Sequence, residues 1–273
     1  MSFSKTWFHI LLLLMGCAPV LRADWQEQLS DPGPGAFAAL RPVTVEYVCG
    51  WAGLTAGQVE AQFSRPAPGI CLLEAKGSTV GLARALWRLD ATHVARADDQ
   101  TLMPSTVRQK EVYRSQTVRT LLAFDDHGVD HFRESTAEKN PPRHKRFDFP
   151  DLRDLQTALL YVRSQKLENG DVYRFVVFPA TSPYLATVTV EGREKVKVRT
   201  GTYPAIKMDL KLEKVTSDLK LAPHGKFKRA TGWLSDDSDR LPLKMNAQIF
   251  IGSVWLELTK VTDGVPEPLA LNP

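Results

Sequence analysis

Ile206, Met208, Leu210 and Leu212 alternate without a break with Lys207, Asp209, Lys211 and Glu213. A period of two sends successive side chains to opposite faces of a strand, so one face of this segment is apolar and the other charged. The same period recurs at Val43, Val45, Tyr47, Cys49 and Trp51, through Val59, Ala61 and Phe63, and at Cys71, Leu73 and Ala75. It returns at Leu243, Met245, Ala247, Ile249 and Ile251, and again at Val254, Leu256 and Leu258. Such alternation marks antiparallel sheet with one wet face.

Turn residues divide these runs. Gly53 and Gly57 lead into the second, Pro66, Pro68 and Gly69 into the third, and Asn169-Gly170 into a strand expected over 172–178. Further strands are expected near 107–124, 129–134 and 143–149. Ten or so strands in one chain curl into a barrel, a half-barrel or a two-sheet sandwich. The expected fold is therefore mainly β, an antiparallel meander with one amphipathic helix near 151–165. That helix is read from Leu152, Leu155, Ala158, Leu159 and Val162, with Asp151 placed as N-cap after Pro150. Residues 80–87 read as a short helix or an irregular crossing.

The first 23 residues have another character. Lys5 precedes an apolar run over 7–15, and small residues follow. This is the layout of a secretory signal, and the run is too short for the roughly 20 residues that span a bilayer. Two cut sites compete. Leu21-Arg22-Ala23 allows cleavage before Asp24, whereas Leu14-Met15-Gly16-Cys17 resembles a lipobox in which Cys17 is acylated and becomes the first mature residue. The expected division is a signal over 1–23, or 1–16 with a lipidated Cys17, then one β-rich domain over 24–273, frayed from Val265 onward. The expected address is periplasmic or outer-membrane-associated, with membrane contact only through that anchor.

Without Lys5 and Arg22 the mature chain keeps 33 basic against 31 acidic residues. That balance makes no electrostatic case for nucleic acid. Cys49 and Cys71 remain, on strands expected to be first and third in the meander. Two inter-strand steps of about 4.8 Å place them beyond disulfide reach, so two buried thiols are expected.

The residues that could carry chemistry each have a plainer use. Asp236, Asp237 and Asp239 could hold a hard cation, but with Ser235 and Ser238 they also form a charged turn, where Arg240 would make an exposed pair. His127 and His131 share a strand face at about 13 Å, too far for one metal, and Gly128 marks a hairpin turn. The run Arg143-His144-Lys145-Arg146 could touch anionic headgroups, or be the solvated side of a strand buried through Phe147 and Phe149. Ser78 and Ser235 lack an assignable base, and Cys49 is a core position. No catalytic residue, metal ligand or cofactor is expected.

Several motifs occur in a fixed order: Tyr47-Val48-Cys49-Gly50-Trp51-Ala52-Gly53, Asp154-Leu155-Gln156-Thr157-Ala158-Leu159, Val190-Glu191-Gly192-Arg193, Thr200-Gly201-Thr202-Tyr203-Pro204, and Trp233-Leu234-Ser235-Asp236-Asp237. Together they resemble the bacterial exported family catalogued as domain of unknown function 3108. One departure is Gln156-Thr157, where a Ser is expected before the Ala. The resemblance implies an envelope address and an architecture, not a reaction. The function expected is a non-catalytic cell-envelope protein binding a lipid or other hydrophobic ligand in a curved sheet. The alternatives are an envelope protein-protein interaction scaffold, or a hydrolase with an unrecognised site.

Overall fold

The computed structural model describes residues 25–138, 142–250 and 252–263. The signal segment, Cys17, Ile251 and the tail from Val265 lie outside the described residues.

The chain starts in the middle of one sheet and builds outward. Strands β1 (Val43–Trp51), β2 (Leu54–Ala67) and β3 (Ile70–Thr79) form a meander, and α1 (Gly81–Leu86) follows. β4 (Leu89–Asp98), β5 (Pro104–Tyr113), β6 (Thr117–Asp125), β7 (Gly128–Ser135) and β8 (Arg143–Asp148) carry the meander to one edge. A crossing that contains α2 (Leu155–Ser164) then leads to the opposite edge, β9 (Val172–Val177). β10 (Tyr184–Val198), β11 (Gly201–Val215), the short β12 (Leu221–Pro223), β13 (Phe227–Ser235), β14 (Pro242–Ile249) and β15 (Gly252–Asp263) return to the middle. There β15 pairs antiparallel with β1, Val45 opposite Val261 and Cys49 opposite Leu256.

The described strands thus form one 15-stranded sheet in the order β8-β7-β6-β5-β4-β3-β2-β1-β15-β14-β13-β11-β10-β9, with β12 on β11. Of the three architectures expected, this is a curled sheet left unclosed, because β8 and β9 are not hydrogen-bonded to each other. Side chains meet across the seam instead. Phe147 and His131 lie against Phe178 at 6.2 and 6.1 Å between ring centres, and Gln109 Nε2 donates to the Pro179 carbonyl at 2.8 Å.

Two features depart from the sequence reading. β4 and β10 were not expected: in β4, Ala91, Ala95 and Ala97 give the alternation little hydrophobic contrast, and His93 breaks it. In β1 the pairing slips at Glu46/Tyr47 toward β15 and at Cys49/Gly50 toward β2. The bulge after Cys49 reverses the inward face, so Gly50 is buried and Trp51 ends 45% exposed; Cys49, ahead of it, is half-buried. Cys71 is fully buried, both thiols are free, and β2 lies between their strands.

The helix also needs correction. Leu155 and Leu159 are 57% and 37% exposed, while Thr157, Ala158 and every residue from Leu160 to Ser164 are buried. Leu160 belongs to the larger core with Val43, Phe63 and Leu122, whereas Ala158, Tyr161 and Val162 pack with Phe175, Val188 and Ile206. A helix inserted between two walls buries most of its circumference, so a single stripe of leucines does not identify its buried side. The wet face expected of every strand fails here too: consecutive Phe175, Val176 and Val177 are all buried, as are Leu185 and Ala186.

Candidate ligand cleft

The start of α2 is set by Asp154, not Asp151. The Asp154 carboxylate accepts from the Gln156 amide at 2.8 Å and the Thr157 hydroxyl at 2.7 Å, and Thr157 Oγ1 accepts from the Asp154 amide at 3.2 Å. This reciprocal cap satisfies amides that have no partner inside the helix. Thr157 thereby supplies the hydroxyl expected of a Ser at that position. Asp151 instead sits in the preceding turn with φ 54°, and Arg153 bridges to Val177.

Three arginines, 1%, 4% and 6% exposed, fasten the helix and the segment before β1. Arg153 donates to the Leu102 carbonyl at 3.0 Å and to that of Pro32, with its guanidinium 4.2 Å over the Tyr161 ring. Arg163 donates to the carbonyls of Ala38, Asp239 and Ser238 at 3.0, 3.1 and 3.2 Å. Arg240 reaches back to the helix end and donates to the carbonyls of Arg163 at 2.9 Å, Lys166 at 3.0 Å and Gln165. Burial lowers all three guanidinium pKa values, to about 10 for Arg153 and Arg163, so they remain cations at neutral pH. The Arg240 pairing expected from the sequence is thereby overturned, since Asp239 pairs with Arg41 at 2.7 Å.

Between α2 and the inner face of β1–β3 lies a cavity of about 230 Å³. Val45, Tyr47, Ala61, Leu73 and Leu256 form its walls, and Leu159 and Leu160 cover it. Gln62 and Glu74, opposite each other on β2 and β3, alternate with Ala61, Phe63 and Leu73 and so leave the other face of the sheet, whereas Gln156 offers an amide from the helix. Burial pushes the Glu74 carboxyl upward, against a smaller opposing effect of Lys76, and it pushes the Tyr47 hydroxyl up as well. Gln156 Oε1 is buried without a hydrogen-bond partner. The two cations on the rim, Arg163 and Arg240, are already engaged by backbone carbonyls. The cleft is therefore apolar, with the Tyr47 hydroxyl and the Gln156 amide as uncharged polar groups. Drug-sized ligands occupy roughly 300–1,000 Å³, so this space suits a smaller molecule or one arm of a larger one.

The residues singled out by sequence do not converge on it. Asp237 Oδ1 accepts from the Ser235 hydroxyl at 2.7 Å and from the Asp239 and Arg240 amides at 3.0 Å, which makes the segment a turn. Asp236 pairs with Arg193 at 3.1 Å. His127 lies in the β6–β7 turn and His131 is buried in β7. The run 143–146 lies on edge strand β8, where Arg146 meets Asp125, Asp130 and Asp148 and holds the Asp125 carboxyl down at about 2. Ser78 sits in β3 opposite Gln58 and Asp90. Sequence reasoning named Gln156 only as part of a departure from the family pattern and missed its place at the cleft.

A family model described as a protein of unknown function, DUF3108, matches residues 44–259. The chain belongs to that family. The matched range takes in α2 and all of the sheet but the outer ends of β1 and β15, so most of the cleft lies within the DUF3108 region. No curated sequence matches the chain. Among solved structures, it is similar to a β-barrel-like protein of domain of unknown function DUF1849 from Brucella abortus, at 13% identity and TM-score 0.53, over 83% of this chain and 100% of that one. That likeness concerns the fold alone. More distant are a protein with a YmcC-like fold from Bacteroides fragilis (9% identity, 84% and 100% covered, TM-score 0.37) and the lipoprotein LppX of Mycobacterium tuberculosis (14%, 83% and 89%, 0.28).

Proposed function

We propose that this DUF3108 protein is a non-catalytic cell-envelope protein that holds a lipid chain or similarly apolar ligand between α2 and β1–β3. The observation that carries the reading is the apolar cavity itself, with Leu159 left partly exposed at its cover. An exposed Leu at a cavity mouth has a use if a ligand covers it. Nile red, a neutral apolar dye, provides the test. The parent protein is expected to bind it, and Leu159→Lys to weaken binding about tenfold or more, by placing a charge against apolar surface, with an unchanged melting midpoint. Dye binding that is absent from the parent, or equal in the variant, counts against the proposal.

Export would proceed through residues 1–23, or through 1–16 with Cys17 acylated. Labelled palmitate supplied to growing cells separates the two: incorporation by the parent and none by Cys17→Ala establishes the anchor, and an unlabelled parent removes it. A second reading, an interaction scaffold, is favoured by α1, where Leu82, Leu86 and Trp87 are 69%, 77% and 58% exposed on neighbouring positions.

A further inference from the structure

A second cleft, of about 350 Å³, lies at the seam between the two ends of the sheet. Phe147, Phe178 and Val215 form its apolar side. Its polar side carries His131 and Lys145; Lys214, next to Val215 on β11, points to the other face of that strand. Lys145 stands directly opposite His131 in the β7–β8 ladder, so the two side chains leave the same face of the sheet.

His131 is 5% exposed, and both its ring nitrogens are buried without a hydrogen-bond partner. Buried polar groups nearly always have partners, and a neutral imidazole has one donor and one acceptor to satisfy. Burial, then the charges of Lys145, Arg133 and His144, hold its pKa below the usual value. At neutral pH the ring can therefore offer an N–H without adding a charge. Two of the other polar neighbours are committed, Arg146 to three carboxylates and the Thr216 hydroxyl to Asp218 and the Lys220 carbonyl, and Thr181 and Ser217 also line the cleft. Lys145 forms no ion pair among the described residues.

We infer that the seam cleft binds a small amphiphile with an oxyanion head, the head held by Lys145 and His131 and a short apolar part lying on Phe147, Phe178 and Val215. The charge complementarity is specific: an unpaired cation and a buried, unpartnered donor leave the same face of the sheet onto a half-apolar cleft. A lysine projecting inward from an edge strand can also serve to block edge-to-edge pairing, and the experiment separates the two roles.

Octyl phosphate, inorganic phosphate and octyl glucoside are titrated into the parent and into Leu159→Lys, with the His131 imidazole signals followed by NMR. Octyl phosphate is expected to shift those signals in both chains. Octyl glucoside, with the same tail and no charge, leaves them in place, and inorganic phosphate binds more weakly than octyl phosphate. Lys145→Gln weakens octyl phosphate by about tenfold while Nile red binding stays unchanged, and Lys214→Gln, on the other face of its strand, leaves octyl phosphate affinity as in the parent. Equal binding of octyl phosphate and octyl glucoside overturns the anion site, and phosphate binding as tightly as octyl phosphate overturns the amphiphile. Unaltered octyl phosphate affinity in Lys145→Gln, or self-association as its sole defect, also overturns it and leaves Lys145 as an edge guard.

Discussion

Tyr161→Ala is expected to destabilise the protein by about 3–5 kcal/mol, the range for deleting a large aromatic side chain from a packed core. Tyr161 is 1% exposed, meets Phe175 edge-on at 5.3 Å, and lies under the Arg153 guanidinium. Its hydroxyl donates to the Asp31 carbonyl at 2.7 Å, which ties the segment before β1 to the helix. Alanine removes all of these together and leaves a cavity between α2 and β9. Tyr161→Phe keeps the ring and removes one hydrogen bond, so it should cost only about 1 kcal/mol. Leu159→Ala provides the contrast. The sequence stripe places Leu159 in the core, but at 37% exposure its truncation should cost no more than about 1 kcal/mol. Urea denaturation of the three variants checks the set, and the placement of α2 fails if Leu159→Ala proves as damaging as Tyr161→Ala.

The second large effect is expected at Arg240. Arg240→Met should cost roughly 3–5 kcal/mol, because it keeps an unbranched apolar stem and removes every donor from a buried, charged network. The carbonyls of Arg163, Gln165 and Lys166 stand at and beyond the C-terminus of α2, where backbone oxygens lack intrahelical partners. One guanidinium serves all three, adds a positive charge at the negative end of the helix dipole, and lies 3.3 Å over the Phe37 ring. Burying that charge is itself costly, as the lowered pKa records. The carbonyls would nevertheless be orphaned by its loss. Arg240 has φ 47°, a strained value that the methionine would inherit, so the comparison isolates the side chain. Arg240→Lys should recover part of the loss, since one ammonium cannot match the planar fork. A methionine variant within 1 kcal/mol of the parent would remove the anchoring role.

Most of the strands were legible because alternation is a local signal. β11 shows the limit of that signal: Ile206 and Met208 are buried as their spacing implies, yet Asp209 on the charged face is buried too, paired with Arg229. That cover comes from neighbouring β13, and nothing in the 15 residues of β11 records it. The turn at 233–242 was read well as a turn, since Asp237 caps it through local bonds. Arg240 was misread because its partners are about 75 residues away in sequence, at the end of α2. The cleft could not be read at all: Val45, Leu73, Leu160 and Leu256 come from four separate stretches of chain.

By itself the sequence determined the antiparallel β class, the position of a helix between two groups of strands, the turns, and the family. These follow from period, turn chemistry and motif order, which act within ten or so residues. Only the tertiary structure decided that the sheet curls without closing, that α2 is buried on two sides, and that three arginines serve backbone carbonyls. Those outcomes depend on which surfaces meet after the last strand returns to pair with the first, and long-range packing leaves no period in the chain.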